Sequence, residues 1–227
     1  MAQRFALYYA PAVTSPLWER AAIWLGRDAA NGSLYDGAVA GIPRDRLLNV
    51  TQSAGRYGFH ATIKAPMALA DGKTDSQLRD ALNAFCQTRS PIDLGPLKVS
   101  NHFGVLALTS ENTAAAQDFA ADLVAHFDDY RAPLSARDRA RRLPGLSPRQ
   151  EELLDLFGYP YVQEQFKFHM TLSDRLPAAE LEEIAVAAEQ WFAPVLSSAE
   201  QLDRMSIFVE AENGLAFRRH YDCEFAG

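Results

Sequence analysis

Polar and apolar side chains alternate strictly through two separate stretches of this 227-residue chain, and both stretches carry Phe-His-x-Thr followed by an aliphatic residue. In the first, Arg56, His60, Thr62 and Lys64 fall on one parity, while Tyr57, Phe59, Ala61, Ile63 and Ala65 fall on the other. In the second, Lys167, His169, Thr171 and Ser173 oppose Phe166, Phe168, Met170 and Leu172. A period of two means a strand with one buried face. Each open face then presents an imidazole, a hydroxyl and a cation side by side. A chain that builds this twice can hold one phosphate between two histidines.

The order of elements around the two stretches is also similar. Residues 4–10 read as a first strand and residues 16–29 as a helix, with Leu17, Ala21, Trp24 and Leu25 at helical spacing. Residues 31–53 read as an irregular connection. After the first motif come a helix at 75–88, with Thr74 and Gln77 at capping-box spacing, and strands at 97–102 and 104–109. The second half opens with a helix at 113–130. A helix at 148–157 follows, with Ser147 as N-cap and Pro148 as its first residue. After the second motif come a helix at 178–192 and strands at 205–210 and 215–221, with a hairpin turn at Asn213-Gly214. Gly104 follows His60 at nearly the interval by which Gly214 follows His169. The expected architecture is an α+β duplicated bilobal fold. Two antiparallel sheets face a central cleft with helices outside, in one domain over 1–227 with approximate repeats 56–109 and 166–222.

The paired motifs suggest chemistry at phosphorus. A neutral imidazole takes a proton near neutral pH, and an imidazolium gives one. Hydrolysis of a phosphodiester needs both acts. His60 and His169 are the expected acid and base, in an order the residues do not assign. Thr62 and Thr171 can donate to phosphate oxygens as charge builds up. Lys64, Lys167 and Arg56 are secondary candidates for binding, and Tyr8 joins them if the first strand neighbours a motif strand. A lone His-x-Thr is a weak signal that usually marks a solvated polar face; two copies with matching parity are far more specific.

The remaining histidines read as ordinary: His126 beside a helical apolar stripe, His102 near a turn, His220 facing solvent. Zinc between His60 and His169 lacks a third ligand at telling spacing, so no metal or cofactor is expected. The sequence has no Walker loop, G-x-G-x-x-G or G-x-S-x-G. Arg137, Arg139, Arg141 and Arg142 form a basic run, read by default as a solvated surface and alternatively as a phosphate-steering rim.

The residues Tyr57-Gly58-Phe59-His60-Ala61-Thr62-Ile63-Lys64-Ala65-Pro66 resemble the first motif of the two-histidine (2H) phosphoesterase superfamily, in the branch found with bacterial phosphonate-utilisation operons. Gly158-Tyr159-Pro160-Tyr161-Val162, the second motif, and Trp24-Leu25-Gly26-Arg27-Asp28 are similar to the same branch, so the likeness spans nearly the whole chain. The resemblance implies a metal-independent phosphoric diester hydrolase acting on a small cyclic phosphate of a nucleoside or ribose, in phosphonate metabolism. Its alternatives are an RNA-end ligase or cyclic-end hydrolase, and a non-catalytic sensor of a phosphorylated metabolite.

Composition narrows the partners. A net charge of −7 argues against broad binding to DNA or a membrane, leaving a small cyclic phosphate as the expected partner and RNA as the second. With 48% hydrophobic residues the chain can bury a full core. Its two cysteines, Cys86 and Cys223, suit a reducing compartment. No stretch is long and apolar enough to span a bilayer, and the apolar run after Arg4 is too short for a signal peptide. The expectation is a cytoplasmic monomer.

Overall fold

Phe5 to Ala10 form an unbroken buried run, the pattern of a strand covered on both faces. That strand, β1 (Arg4–Tyr9), lies inside a seven-stranded antiparallel sheet. The computed structural model describes residues 3–227; the first two positions of the expected domain, Met1 and Ala2, lie outside them. After β1 the chain runs through α1 (Pro16–Leu25), α2 (Arg44–Val50), α3 (Gln52–Tyr57), β2 (Ala61–Met67), α4 (Asp75–Cys86), β3 (Ile92–Pro96), β4 (Lys98–His102) and β5 (Val105–Thr109). It continues with α5 (Ala114–His126), α6 (Ala136–Arg142), α7 (Pro148–Phe157), β6 (His169–Thr171), α8 (Ala178–Leu196), β7 (Ala199–Leu202), β8 (Arg204–Glu210) and β9 (Arg218–Glu224).

The large sheet has the order β4-β5-β6-β2-β1-β8-β9, and β3 pairs with β7 in a separate two-stranded ribbon. This corrects the expected pair of facing sheets. The two motif strands are direct neighbours, with Ala61 of β2 opposite Met170 of β6. Each motif strand has a polar backbone edge that must find partners. Pairing β2 with β6 satisfies those edges and joins the two halves into one sheet. Helices pack on it: α5 against β2, α4 against β8 and β9, and α8 against β4 and β5. Phe59 and Phe168, the aromatic residues before each histidine, are both buried in a common core.

Local signals placed several helix ends where the residues suggested. Thr74 and Gln77 form a reciprocal capping box on α4, and Ser147 and Gln150 do the same on α7. Other elements departed from expectation. The connection after α1 contains α2 and α3, and β3 and β7 had no alternating pattern to announce them. Arg56 is a helical residue of α3 rather than part of the first motif strand. Gly58 ends that helix at φ +80, and a β-carbon there would lie 2.6 Å from Ala29 Cβ. The extended strand therefore begins only after His60. The last hairpin is also wider than a two-residue turn, because β9 starts at Arg218.

Candidate functional site

Antiparallel pairing around Ala61 and Met170 sets Thr62 beside His169 and His60 beside Thr171. All four side chains line one open cleft of about 530 Å³. The histidines are held alike. His60 Nδ1 lies 2.8 Å from the carbonyl of Gly58, and His169 Nδ1 lies 2.8 Å from the carbonyl of Lys167. A carbonyl only accepts, so each Nδ1 carries a hydrogen and donates it. In the neutral ring Nε2 is then the free lone pair. The Thr62 hydroxyl donates to His60 Nε2 at 3.1 Å.

Each imidazole is backed by another ring. Tyr8 stacks on His60 with centroids 3.7 Å apart and planes 14° from parallel. His102 stacks on His169 at 4.2 Å and 19°. Such packing restricts ring rotation and removes water from one face. Burial lowers the His60 pKa to about 4 against the opposing pull of the Gly58 carbonyl, and the nearby His169 adds to the lowering. Burial lowers His169 as well. His102 is lowered to about 4 by burial, then by His169 and Lys167. At neutral pH these imidazoles are thus neutral bases. An anion between them would favour their protonated forms.

The secondary candidates separate. Tyr8 lines the cleft. Lys64 does not: it is 3% exposed, and its Nζ donates to the Val124 carbonyl and to Asp128 Oδ1, each at 3.1 Å. The β1–β2 register is irregular here, so the strict alternation fails after Ile63, and Ala65 and Pro66 face the cleft instead. Arg56 is drawn to Glu210 and the Leu215 carbonyl. Lys167 gives the site its carbonyl, while its exposed side chain is not among the lining groups.

Structure adds Arg4, Arg141, Arg142 and Arg175 to the cleft wall, together with Tyr57 and Tyr159. Arg141 and Arg142 come from the basic run on α6 and stand at the cleft rim, Arg141 still exposed as the solvated default has it and Arg142 half-buried. Arg139 pairs with Asp155 and follows the default. Arg175 lies over Gly104, at φ +88, where a β-carbon would lie 2.8 Å from Arg175 Nη1. His102 had only its position near a turn as a signal; its partner lies far along the chain. His220 is exposed as expected, and its Nε2 also lies 3.1 Å from an Asp75 carboxylate oxygen. Among the described residues, no three His, Cys, Asp or Glu side chains gather as a metal cage would require. No helix among them is long and apolar enough to cross a membrane.

Fold and site together define an α+β protein with a paired-histidine, arginine-rimmed cleft. The chain belongs to the family described as "Protein of unknown function (DUF1045)", which matches residues 62–218. It is also similar to two curated proteins named ribose 1,5-bisphosphate phosphokinase PhnN. The one from Janthinobacterium sp. (strain Marseille) is 37% identical over 231 residues, covering 99% of this chain and 51% of the relative. The one from Laribacter hongkongensis (strain HLHK9) is 33% identical over 223 residues, covering 95% and 50%. The chain spans about half the length of these curated relatives.

Their name is that of a phosphokinase, a transferase of phosphoryl groups. It overturns the hydrolase class, the diesterase activity and the cyclic-phosphate substrate read from the sequence. The physical reason is that two imidazoles beside a phosphate form an acid–base pair for any reaction at phosphorus. They do not specify whether water or another oxygen is the nucleophile.

Proposed function

We propose that the chain handles a phosphorylated ribose in a phosphoryl-transfer reaction, binding one of its phosphates between His60 and His169. The observation that carries this is the matched presentation of two Nε2 atoms, each fixed by an Nδ1 bond to a carbonyl two residues earlier. Thr171 supplies a hydroxyl donor beside them, and Thr62 supplies another once His60 Nε2 carries a proton. Arg4, Arg141, Arg142 and Arg175 make the wall cationic in a chain of net charge −7. The name of the relatives supports a ribose phosphate as the ligand, and the resemblance to phosphonate-operon proteins supports a place in phosphonate use.

In this arrangement a bound phosphate draws a proton onto one or both imidazoles, which then donate to its oxygens through Nε2. The same proton can be returned as charge shifts during transfer. We also read the two halves as copies of one unit. After each histidine the chain runs strand, helix and three strands, and the corresponding strands β3 and β7 pair with each other.

Calorimetry with ribose 5-phosphate and with unphosphorylated ribose tests the proposal. The phosphate ester should bind and the free sugar should not. His60→Gln and His169→Gln should each weaken binding by about 1.5–3 kcal/mol, the worth of a hydrogen bond to a charged group. Binding of ribose alone, or wild-type affinity in both variants, would overturn it.

A further inference from the structure

A second cavity, of about 520 Å³, adjoins the histidine cleft. Arg4, Ala65, Pro66, Arg141, Arg142 and Tyr159 line both, so the two spaces share a wall. Its charge is one-sided. Six cations line it, namely Arg4, Lys64, Arg131, Arg137, Arg141 and Arg142, against one carboxylate, Asp138.

Four of the six have carboxylate partners, and two do not. Lys64 and Arg131 share Asp128 behind the wall. Arg4 pairs with Glu210, and Arg141 with Asp138 at 3.2 Å. Arg142 donates to the Gly158 carbonyl. Among the described residues neither Arg142 nor Arg137 has a carboxylate within ion-pair distance. Burial lowers the Arg142 pKa and Arg141 adds to the lowering, while Asp138 and Tyr159 oppose it and Arg4 contributes least. Arg142 is half-buried while Arg137 and Arg141 are exposed, and their like charges repel one another unless an anion offsets them. Guanidinium groups suit phosphate in particular, since their paired N–H donors match its oxygens.

We propose that this cavity is a second anion subsite, which takes the other phosphate of a ribose bisphosphate whose first phosphate lies between His60 and His169. The proposal depends on the histidine cleft holding a ribose phosphate. It adds that the protein distinguishes bisphosphates from monophosphates. Arg4, Arg141 and Arg142 stand on the shared wall, between the two anions. Arg137 lines only the second cavity.

The test is calorimetry on the full chain with two probes, ribose 5-phosphate and ribose 1,5-bisphosphate, at one salt concentration. Joining two anchoring groups in one ligand should make the bisphosphate bind about tenfold more tightly or better. Arg137→Glu should bring the ratio of the two affinities close to one. Arg137 is exposed, and circular dichroism of the variant would establish that it folds. Equal affinities in the wild-type chain, or a ratio untouched by Arg137→Glu, would overturn the second subsite while leaving the histidine cleft in place. Failure of both probes to bind would remove the cleft reading and this one together.

Discussion

His60 and His169 owe their readiness to two carbonyl oxygens and two stacked rings rather than to any neighbouring carboxylate. That arrangement carries a cost in acid. An unfolded chain protonates its histidines near their ordinary pKa of about 6.5, whereas folded His60 and His102 resist protonation until about pH 4. Below pH 6.5 the unfolded state therefore binds more protons, and stability falls as pH falls toward 4. Above that window both states are neutral and the slope vanishes. Urea midpoints should be flat from pH 8 to 7 and decline between 6.5 and 5, before most carboxylates titrate. His60→Asn should make the decline shallower; an unchanged slope would show that His60 is not held neutral by the fold. The histidines and threonines could be picked out from their residue types and parity. His102 could not, because its stacking partner is supplied by a strand far along the chain.

At the scale of elements, β2 shows how far an alternating pattern can be trusted. Ala61, Thr62 and Ile63 obey it, and the irregular β1–β2 register then turns Lys64 inward to Asp128. Lys64 is consequently part of the packing between β2 and α5, not a ligand of the histidine cleft. Lys64→Met keeps most of the aliphatic stem, and Asp128 keeps its bonds to Arg131. Its cost should be small, about 1 kcal/mol for the lost hydrogen bonding. Lys64→Ala also removes buried stem and should cost about 2–4 kcal/mol, in the range of large-to-small core changes. Denaturant titration separates the two. Both variants should keep wild-type affinity for ribose 5-phosphate, and a loss in Lys64→Met would restore Lys64 to the cleft. The capping boxes of α4 and α7 were legible because they are local bonds spanning three residues. The end of α3 at Gly58 was not, since an alternating pattern reads the same through helix and strand over so few positions.

On the scale of the whole molecule, the strands at the chain's two ends are held together beside the cleft. Glu210, at the end of β8, is 0% exposed; it binds Arg4 of β1 and Arg56 of α3, and accepts from the Gly214 backbone. Arg4 in turn lines both cavities. Glu210→Gln removes the charge that holds both guanidinium groups. Because the arginines are partly exposed, the cost should fall below that of a fully buried pair, at about 2–3 kcal/mol. Chemical denaturation measures it, and a change under 1 kcal/mol would show the clasp to be dispensable. The parity of the two His-x-Thr stretches, their buried phenylalanines and the capped starts of α4 and α7 were determined by the sequence itself, because each depends on periodicity or on bonds within a few residues. Which strands became neighbours, which arginines reached the cleft and which lysine left it were decided only by the tertiary structure. Those outcomes depend on pairing backbone edges and balancing buried charges between segments well separated along the chain, and no local pattern records that balance.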